Sequence, residues 1–142
     1  MQISARNQLS GIVKSISNGV VNSEVVVALP NGSEIVASIT CESVKNLELV
    51  EGKPVVALVK AGTVLIAADL NNIKLSARNQ LTGTISHIER GAVHSLVELD
   101  LGNGLGLSAS ITVKSAEELN LCAGQKATAV FKAGAVILGV AA

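Results

Sequence analysis

The order of apolar and polar residues predicts that the first half of the chain is mostly β-strand. Residues 9–17 and 21–29 read as strands, and the second of these is rich in β-branched residues. Pro30-Asn31-Gly32 follows as a hairpin turn signal. Residues 34–39 then alternate polar and apolar side chains, except at Val36-Ala37. These segments predict three antiparallel strands.

One helical segment follows, over residues 43–49, and Gly52 closes it. The second half of the chain supports this helix more strongly. Its segment Ser115-Ala116-Glu117-Glu118 has the form of a capping box, with Ser115 as the N-cap and Glu118 at position N3. A single short helix is therefore expected in each half.

Two short strands, residues 55–59 and 64–68, are predicted to complete the first half. Lys60-Ala61-Gly62 is expected to join them as a tight turn, which the second half repeats as Lys132-Ala133-Gly134. Three strands, a helix and two strands is the order of a small OB-like five-stranded barrel.

The whole pattern occurs twice, because Ser-Ala-Arg-Asn-Gln-Leu-Ser-Gly at residues 4–11 returns as Ser-Ala-Arg-Asn-Gln-Leu-Thr-Gly at residues 76–83. Repeats of this kind indicate repeated structural units. We predict an all-β protein of two tandem OB-like five-stranded β-barrels, each with one short helix. Residues 1–70 would form the first domain, residues 71–73 a linker, and residues 74–142 the second domain.

Composition indicates what the cores contain. The chain of 142 residues has no Trp or Tyr and one phenylalanine, Phe131, so the cores must be aliphatic. Modules of about 70 residues bury a limited core. We therefore expect the two halves to pack on each other and on other subunits.

Charge and hydropathy exclude several classes of function. The 11 basic and 11 acidic residues balance, whereas a nucleic-acid-binding protein usually has a basic face. No apolar run is long enough to cross a bilayer, and the N-terminus lacks the apolar core of a secretory signal. We expect a cytoplasmic protein with no nucleic-acid or membrane partner.

Comparison of the two halves selects the charged residues that recur. Arg6 returns as Arg78 and Lys60 returns as Lys132, but no Asp or Glu recurs; Glu24, for example, corresponds to Leu96. Recurring hydroxyls accompany these cations. Donors without a recurring carboxylate indicate a small anion as ligand.

The element Ser-Ile-Thr-x-x-Ser, at residues 38–43 and 110–115, lies where a strand is predicted to lead into the helix. A helix N-terminus presents unpaired N–H groups and attracts anions. Thr40 and Ser43 add hydroxyl donors, Arg6 a planar fork and Lys60 a point charge. Ser43 could equally be an ordinary N-cap, the Lys-Ala-Gly turn a solvated hairpin, and the arginines surface ion-pairing residues with different partners in each half.

A donor-only site suits a fully deprotonated tetrahedral dianion. Protonated phosphate carries O–H donors and favours a site that includes an acceptor, so molybdate, tungstate or sulfate fits better. The sequence leaves the choice among these three open. No Ser-His-Asp, Cys-His or paired-carboxylate arrangement recurs, which argues against an enzyme.

The cysteines and histidines do not recur either. Cys41 and Cys122 each correspond to a valine, so we expect them to be small buried apolar residues rather than disulfide partners or metal ligands. His87 and His94 correspond to Ser15 and Asn22, and no coordinated metal cation is expected.

The chain resembles the molybdate-binding Mop domains of the TOBE type, the molbindins, in their tandem two-domain form. The resemblance is carried by Ser-Ala-Arg-Asn-Gln-Leu, by Gly-Val-Val-Asn-Ser-Glu-Val at residues 19–25, by Ser-Ile-Thr-x-x-Ser and by Lys-Ala. It implies OB-like barrels, a homotrimer, and oxyanions bound at seams between modules, with Ser-Ala-Arg from one module and Thr, Ser and Lys from its neighbour.

The resemblance also implies which residues bind. The seam sites would use Ser4, Arg6, Thr40, Ser43, Lys60, Ser76, Arg78, Thr112, Ser115 and Lys132. A second type of site on the symmetry axis would lie near Gly19, Val20, Asn22, Gly91, Ala92 and His94, where His94 replaces Asn22.

Our interpretation is a cytoplasmic protein that binds molybdate, and tungstate as its analogue, for intracellular molybdenum storage and homeostasis, with several anions per oligomer and no catalytic cofactor. One alternative is a structural or interaction β-barrel whose anion sites are incidental. Another is a carrier of a molybdenum–pterin cofactor, which would need a larger pocket with stacking surfaces.

Overall fold

The computed structural model describes residues 2–142 and contains ten strands and two short α-helices. The strands predicted in the first half are confirmed, with bounds that lie within two residues of those expected. The first half comprises β1 (Asn7–Asn18), β2 (Asn22–Ala28), β3 (Glu34–Thr40), α1 (Cys41–Asn46), β4 (Pro54–Val59) and β5 (Leu65–Ala67). The second half comprises β6 (Asn79–Arg90), β7 (His94–Gly102), β8 (Leu105–Thr112), α2 (Val113–Glu118), β9 (Lys126–Phe131) and β10 (Ile137–Gly139).

The strands form two five-stranded antiparallel sheets, as the prediction of two OB-like all-β units requires. The strand orders are β10-β4-β1-β2-β3 and β5-β9-β6-β7-β8. The last strand of each half therefore belongs to the sheet of the other half. Each sheet takes four strands from one half and one strand from the other.

The last two strands of each half do not pair with each other, so the alternative that the Lys-Ala-Gly turn is a hairpin is wrong. The residues between β4 and β5 form a 3-10 turn, Ala61–Thr63, with extended backbone at Lys60 before it and at Val64 after it. This turn packs against β8 and carries the chain onward instead of reversing it. β5 then pairs with β9, and β10 pairs with β4.

The N-cap of each helix lies three residues before the serine expected at that position, so α1 begins at Cys41 and α2 at Val113. The N-caps are Thr40 and Thr112, whose Oγ1 atoms accept hydrogen bonds from the backbone N–H groups of Ser43 at 3.0 Å and Ser115 at 3.1 Å. The proposed N-cap serines are therefore at the third helical position, because the threonines supply the capping oxygen.

The first helix also ends before residue 49. After Asn46 the chain turns through Glu48, whose φ is 51°, and the N–H of Leu49 donates to the Val44 carbonyl at 3.0 Å. This bond satisfies the carbonyl of Val44 near the end of the helix. The buried side chain of Leu49 thus leaves the helix and anchors the following loop in the core.

Inward-facing aliphatic side chains of both sheets form the core, with Phe131 buried among them.

The prediction that the cysteines are buried is wrong. Cys41 is half-buried at the start of α1, and Cys122 is exposed in the loop before β9; both are free thiols. Neither occupies an inward-facing strand position. No helix within residues 2–142 is long and apolar enough to cross a membrane.

Two buried asparagines join the halves, as their expected packing on each other requires. Asn79 accepts from the Val36 N–H and donates to the Val36 carbonyl, both at 2.8 Å. Asn7 makes the corresponding pair with Ser108, at 2.7 and 2.8 Å. Each asparagine thus hydrogen-bonds the edge strand of the opposite sheet as another strand would.

Candidate anion-binding site

The strand register brings the recurring arginine and lysine of each half together. Asn7 pairs with Val59 at the end of the β1–β4 ladder, so Arg6 and Lys60 are the next residues beyond this pair. In the second half Asn79 pairs with Phe131 in the same way. Residues that are 54 positions apart in sequence therefore converge at one end of each sheet.

These residues line two depressions of the surface. The Arg6 depression, of roughly 540 Å³, is lined by Ser4, Arg6, Lys60 and Gly62, together with Ser110 of β8 and Ile137 of β10. The Arg78 depression, of roughly 460 Å³, is lined by Ser76, Arg78, Lys132 and Gly134. Both contain the hydroxyl, the guanidinium and the ammonium that the sequence singled out.

The two depressions do not include Thr40, Ser43, Thr112 or Ser115. Thr40 and Ser43 line a separate depression with residues 136–138. Thr40 Oγ1 lies 2.8 Å from Ser43 Oγ, and Thr112 and Ser115 repeat this distance. When the threonine donates within the pair, the serine hydroxyl hydrogen is left to donate to a ligand.

Within one chain, each lysine therefore accompanies the Ser-Ala-Arg segment of its own half. The resemblance implied instead that the lysine comes from a neighbouring module together with the threonine and serine. Three of the five residues proposed for each seam site come together in this chain, namely the serine, arginine and lysine of one half.

The turns proposed as axial sites are exposed hairpin tips beside the helices. Gly19 N–H donates to the Asn22 carbonyl at 2.9 Å, and Gly91 donates to His94 at the same distance. A Cβ at Gly19 would lie 2.6 Å from the Asn22 oxygen, so this turn requires glycine. All of the proposed axial residues are exposed, namely Gly19, Val20, Asn22, Gly91, Ala92 and His94.

The second-half turn also approaches the seam residues. A depression beside Arg6 is also lined by Gly91, His94, Arg90 and Leu96. The Ser-Ala-Arg segment of the first half thus reaches the β6–β7 turn of the second half, so residues proposed for the seam and axial sites adjoin each other.

The electrostatic surroundings of the two arginines differ. Arg78 Nη1 lies 2.6 Å from Glu24 Oε2, an exposed ion pair between the residue before β6 and strand β2. The residue equivalent to Glu24 near Arg6 is Leu96, and within residues 2–142 no ion pair includes Arg6. The alternative that the arginines are surface ion-pairing residues with different partners therefore applies to Arg78, whose partner is Glu24.

Sequence reasoning assigned no role to Asn7 and Asn79, although both recur in the Ser-Ala-Arg-Asn element. Each follows its arginine directly in sequence and hydrogen-bonds the opposite edge strand. It also missed Ser110 as a lining residue and Glu24 as the partner of Arg78. Within residues 2–142, no group of three or more His, Cys, Asp or Glu residues is placed to hold a metal ion.

Comparison with known proteins agrees with the tandem repeat. Over 99% of the chain, 44% of residues are identical to the molybdenum transport protein ModE of Herbaspirillum seropedicae, and 41% to the molybdenum-pterin-binding protein MopA of Rhodobacter capsulatus. The match covers 52% and 53% of those proteins, so the chain spans about half the length of the curated relatives it matches.

A solved structure covers both halves at once. The cytoplasmic molybdate-binding protein ModG, crystallised with molybdate bound, aligns over 99% of this chain and 100% of its own, with 46% identity and a TM-score of 0.97. The TOBE domain family matches residues 3–66 and again residues 75–138, which together take in both Ser-Ala-Arg segments and both lysines. The chain therefore belongs to the TOBE domain family and carries two of its domains in tandem.

Proposed function

We propose that this chain is a cytoplasmic protein that binds molybdate, and tungstate as its analogue, and stores the anion for molybdenum homeostasis without catalysing a reaction. The observation that carries this proposal is the convergence of a serine, an arginine and a lysine in each half, in depressions where no acidic residue recurs. The likeness to ModG, a molybdate-binding protein, supports the identity of the anion.

The chemistry of the side chains gives each a role. The guanidinium presents a planar fork of donors to two oxygens of a tetrahedral anion, whereas the ammonium acts as a point charge. Serine and threonine hydroxyls complete a shell of donors around a ligand that only accepts. The proposed seam ligands are Ser4, Arg6, Thr40, Ser43 and Lys60 in the first half, and Ser76, Arg78, Thr112, Ser115 and Lys132 in the second.

We further propose that the chain forms a homotrimer that binds several anions. The Arg6 and Arg78 depressions are open and their cations exposed, and water screens such charges strongly. A neighbouring chain that contributed its Thr-Ser pair would exclude this water. Val20, Val21 and Val93 at the hairpin tips are 99%, 68% and 67% exposed, which favours their burial against other subunits.

A molybdenum–pterin cofactor is the second candidate ligand, because MopA is named for binding molybdenum-pterin. A pterin ring would be expected to stack on an aromatic surface. The one aromatic side chain, Phe131, is in the core. Molybdate is therefore the better-supported ligand.

Isothermal titration of the purified chain with molybdate, tungstate, sulfate and phosphate, at one salt concentration, tests the proposal. We expect tight binding of molybdate and tungstate at more than one anion per chain. The double variant Lys60→Ala/Lys132→Ala removes one charge-assisted bond per site and should weaken binding about ten- to a hundredfold.

Lys126→Ala is the matched control, because Lys126 is an exposed strand lysine outside both depressions. It should bind as the unaltered chain does. Unchanged affinity in the double variant would contradict the assignment of the lysines. No heat and no thermal stabilisation with any of the four anions would instead favour the structural module.

A further inference from the structure

The two halves differ at one position that faces the arginines. Glu24 lies on β2, opposite Ser38 of β3, and its carboxylate reaches the Arg78 guanidinium of the other half. Its equivalent, Leu96, lies on β7 opposite Ser110 and borders the surface around Arg6. The same contact between halves thus includes an acid in one case and an apolar side chain in the other.

The carboxylate of Glu24 uses a donor that an anion would need. Arg78 Nη1 donates to Glu24 Oε2 at 2.6 Å, and the same guanidinium lines the Arg78 depression with Lys132. A bound dianion would have to displace this carboxylate or lie close to it, and like charges at short range repel. Because the two side chains are 52% and 43% exposed, water screens this competition and keeps its effect modest.

The surroundings of Arg6 act in the opposite direction. Arg90 and His94 border the same surface as Arg6, and Glu89 is the one acid there. With histidine neutral, Arg6, Arg90 and Glu89 together with Lys60 sum to two positive charges, whereas Arg78 and Glu24 together with Lys132 sum to one. An anion therefore meets a more favourable potential at Arg6 than at Arg78.

We propose that Glu24 is an affinity-determining residue that weakens anion binding at the Arg78 depression, so that the tandem chain offers one stronger and one weaker site. This inference rests on the proposed molybdate-binding function. A store with two affinities releases its anion over a wider range of concentration than one with identical sites.

Titration with molybdate of variants that keep one site tests this directly. In an Arg6→Ala background, where binding reports the Arg78 depression, Glu24→Gln should tighten binding about two- to fivefold. In an Arg78→Ala background, Leu96→Glu should weaken binding by a similar factor.

Glu34→Gln is the charge-matched control. Glu34 also forms an exposed ion pair, with Lys14, but borders neither depression, so its removal changes net charge without changing molybdate affinity.

The outcomes separate the inference from the proposed function. If Glu24→Gln leaves affinity unchanged or lowers it, Glu24 does not compete with the anion but at most orients Arg78, and the inference fails. An equal effect of Glu34→Gln would also overturn it, since the cause would be net charge. Absence of molybdate binding by the unaltered chain would refute the proposed function itself, and the inference with it.

Discussion

Replacement of Asn79 by alanine is expected to destabilise the fold more than any exposed polar substitution. The side chain is 1% exposed and makes two hydrogen bonds of 2.8 Å to the backbone of Val36, on the edge strand β3. Alanine would leave both the N–H and the carbonyl of Val36 without these partners. Each buried unpaired group costs about 1–3 kcal/mol, so we expect a loss of about 2–4 kcal/mol once some water enters.

The equivalent residue of the other half offers a graded comparison. Asn7 is 2% exposed and bonds the backbone of Ser108, but Ser108 is only half-buried, so water reaches its groups more easily. Asn7→Ala should therefore destabilise the fold less than Asn79→Ala. Gln8→Ala removes an exposed bond to the Ala5 carbonyl and should change the free energy of unfolding by less than about 0.5 kcal/mol.

Equilibrium unfolding in urea, followed by far-ultraviolet circular dichroism, measures these differences in a chain that has no Trp or Tyr. With a slope of about 2 kcal/mol per molar urea, Asn79→Ala should lower the midpoint by about 1–2 M. If its midpoint falls no further than that of Gln8→Ala, the asparagine does not hold the two sheets together as argued.

Two other predictions address packing and assembly. A Cβ at Gly11 would lie 2.5 Å from the Ala28 carbonyl oxygen, so Gly11→Ala should lower the free energy of unfolding by about 1–3 kcal/mol and the melting temperature by several degrees. Gly62→Ala is the control and should be neutral, because no atom lies within 4 Å of a Cβ built there. Equal melting temperatures of the two variants would contradict this prediction. Val20→Asp should dissociate the proposed trimer, as measured by light scattering, and Val20→Ile should preserve it; a trimeric Val20→Asp variant would show that this hairpin tip is not at the interface.

Local patterns were sufficient to predict most strands, because alternation and turn residues act over a few positions. The hairpin turn at Pro30-Asn31-Gly32 is one example, and Gly32 there adopts a φ of +86°. The start of the helix was misplaced because Thr40 and Ser43 are both good capping residues. Only the hydrogen bond from the Ser43 N–H to Thr40 Oγ1 shows which one caps.

The pattern of residues along the chain could not predict contacts between residues that are far apart in sequence. A strand such as β5 presents the same residues whether it pairs with β4 or with β9, so the exchange between halves leaves no periodic signal. The comparison of repeats found Arg6, Arg78 and their lysines because these residues recur. It discarded Glu24 because Glu24 does not recur, and the ion pair of Glu24 with Arg78, 54 residues away, is visible only in the fold.

Because the two halves exchange β5 and β10, they are held together by strand pairing as well as by the peptide link between them. Residues 71–76 form an exposed segment, but each half also contributes a strand to the sheet of the other. A protease that cut this segment would leave two fragments interlocked, each still completing the other's sheet. The tandem chain is in this sense a strand-swapped dimer whose partners are also tethered, so its folding does not depend on the concentration at which two separate halves would meet.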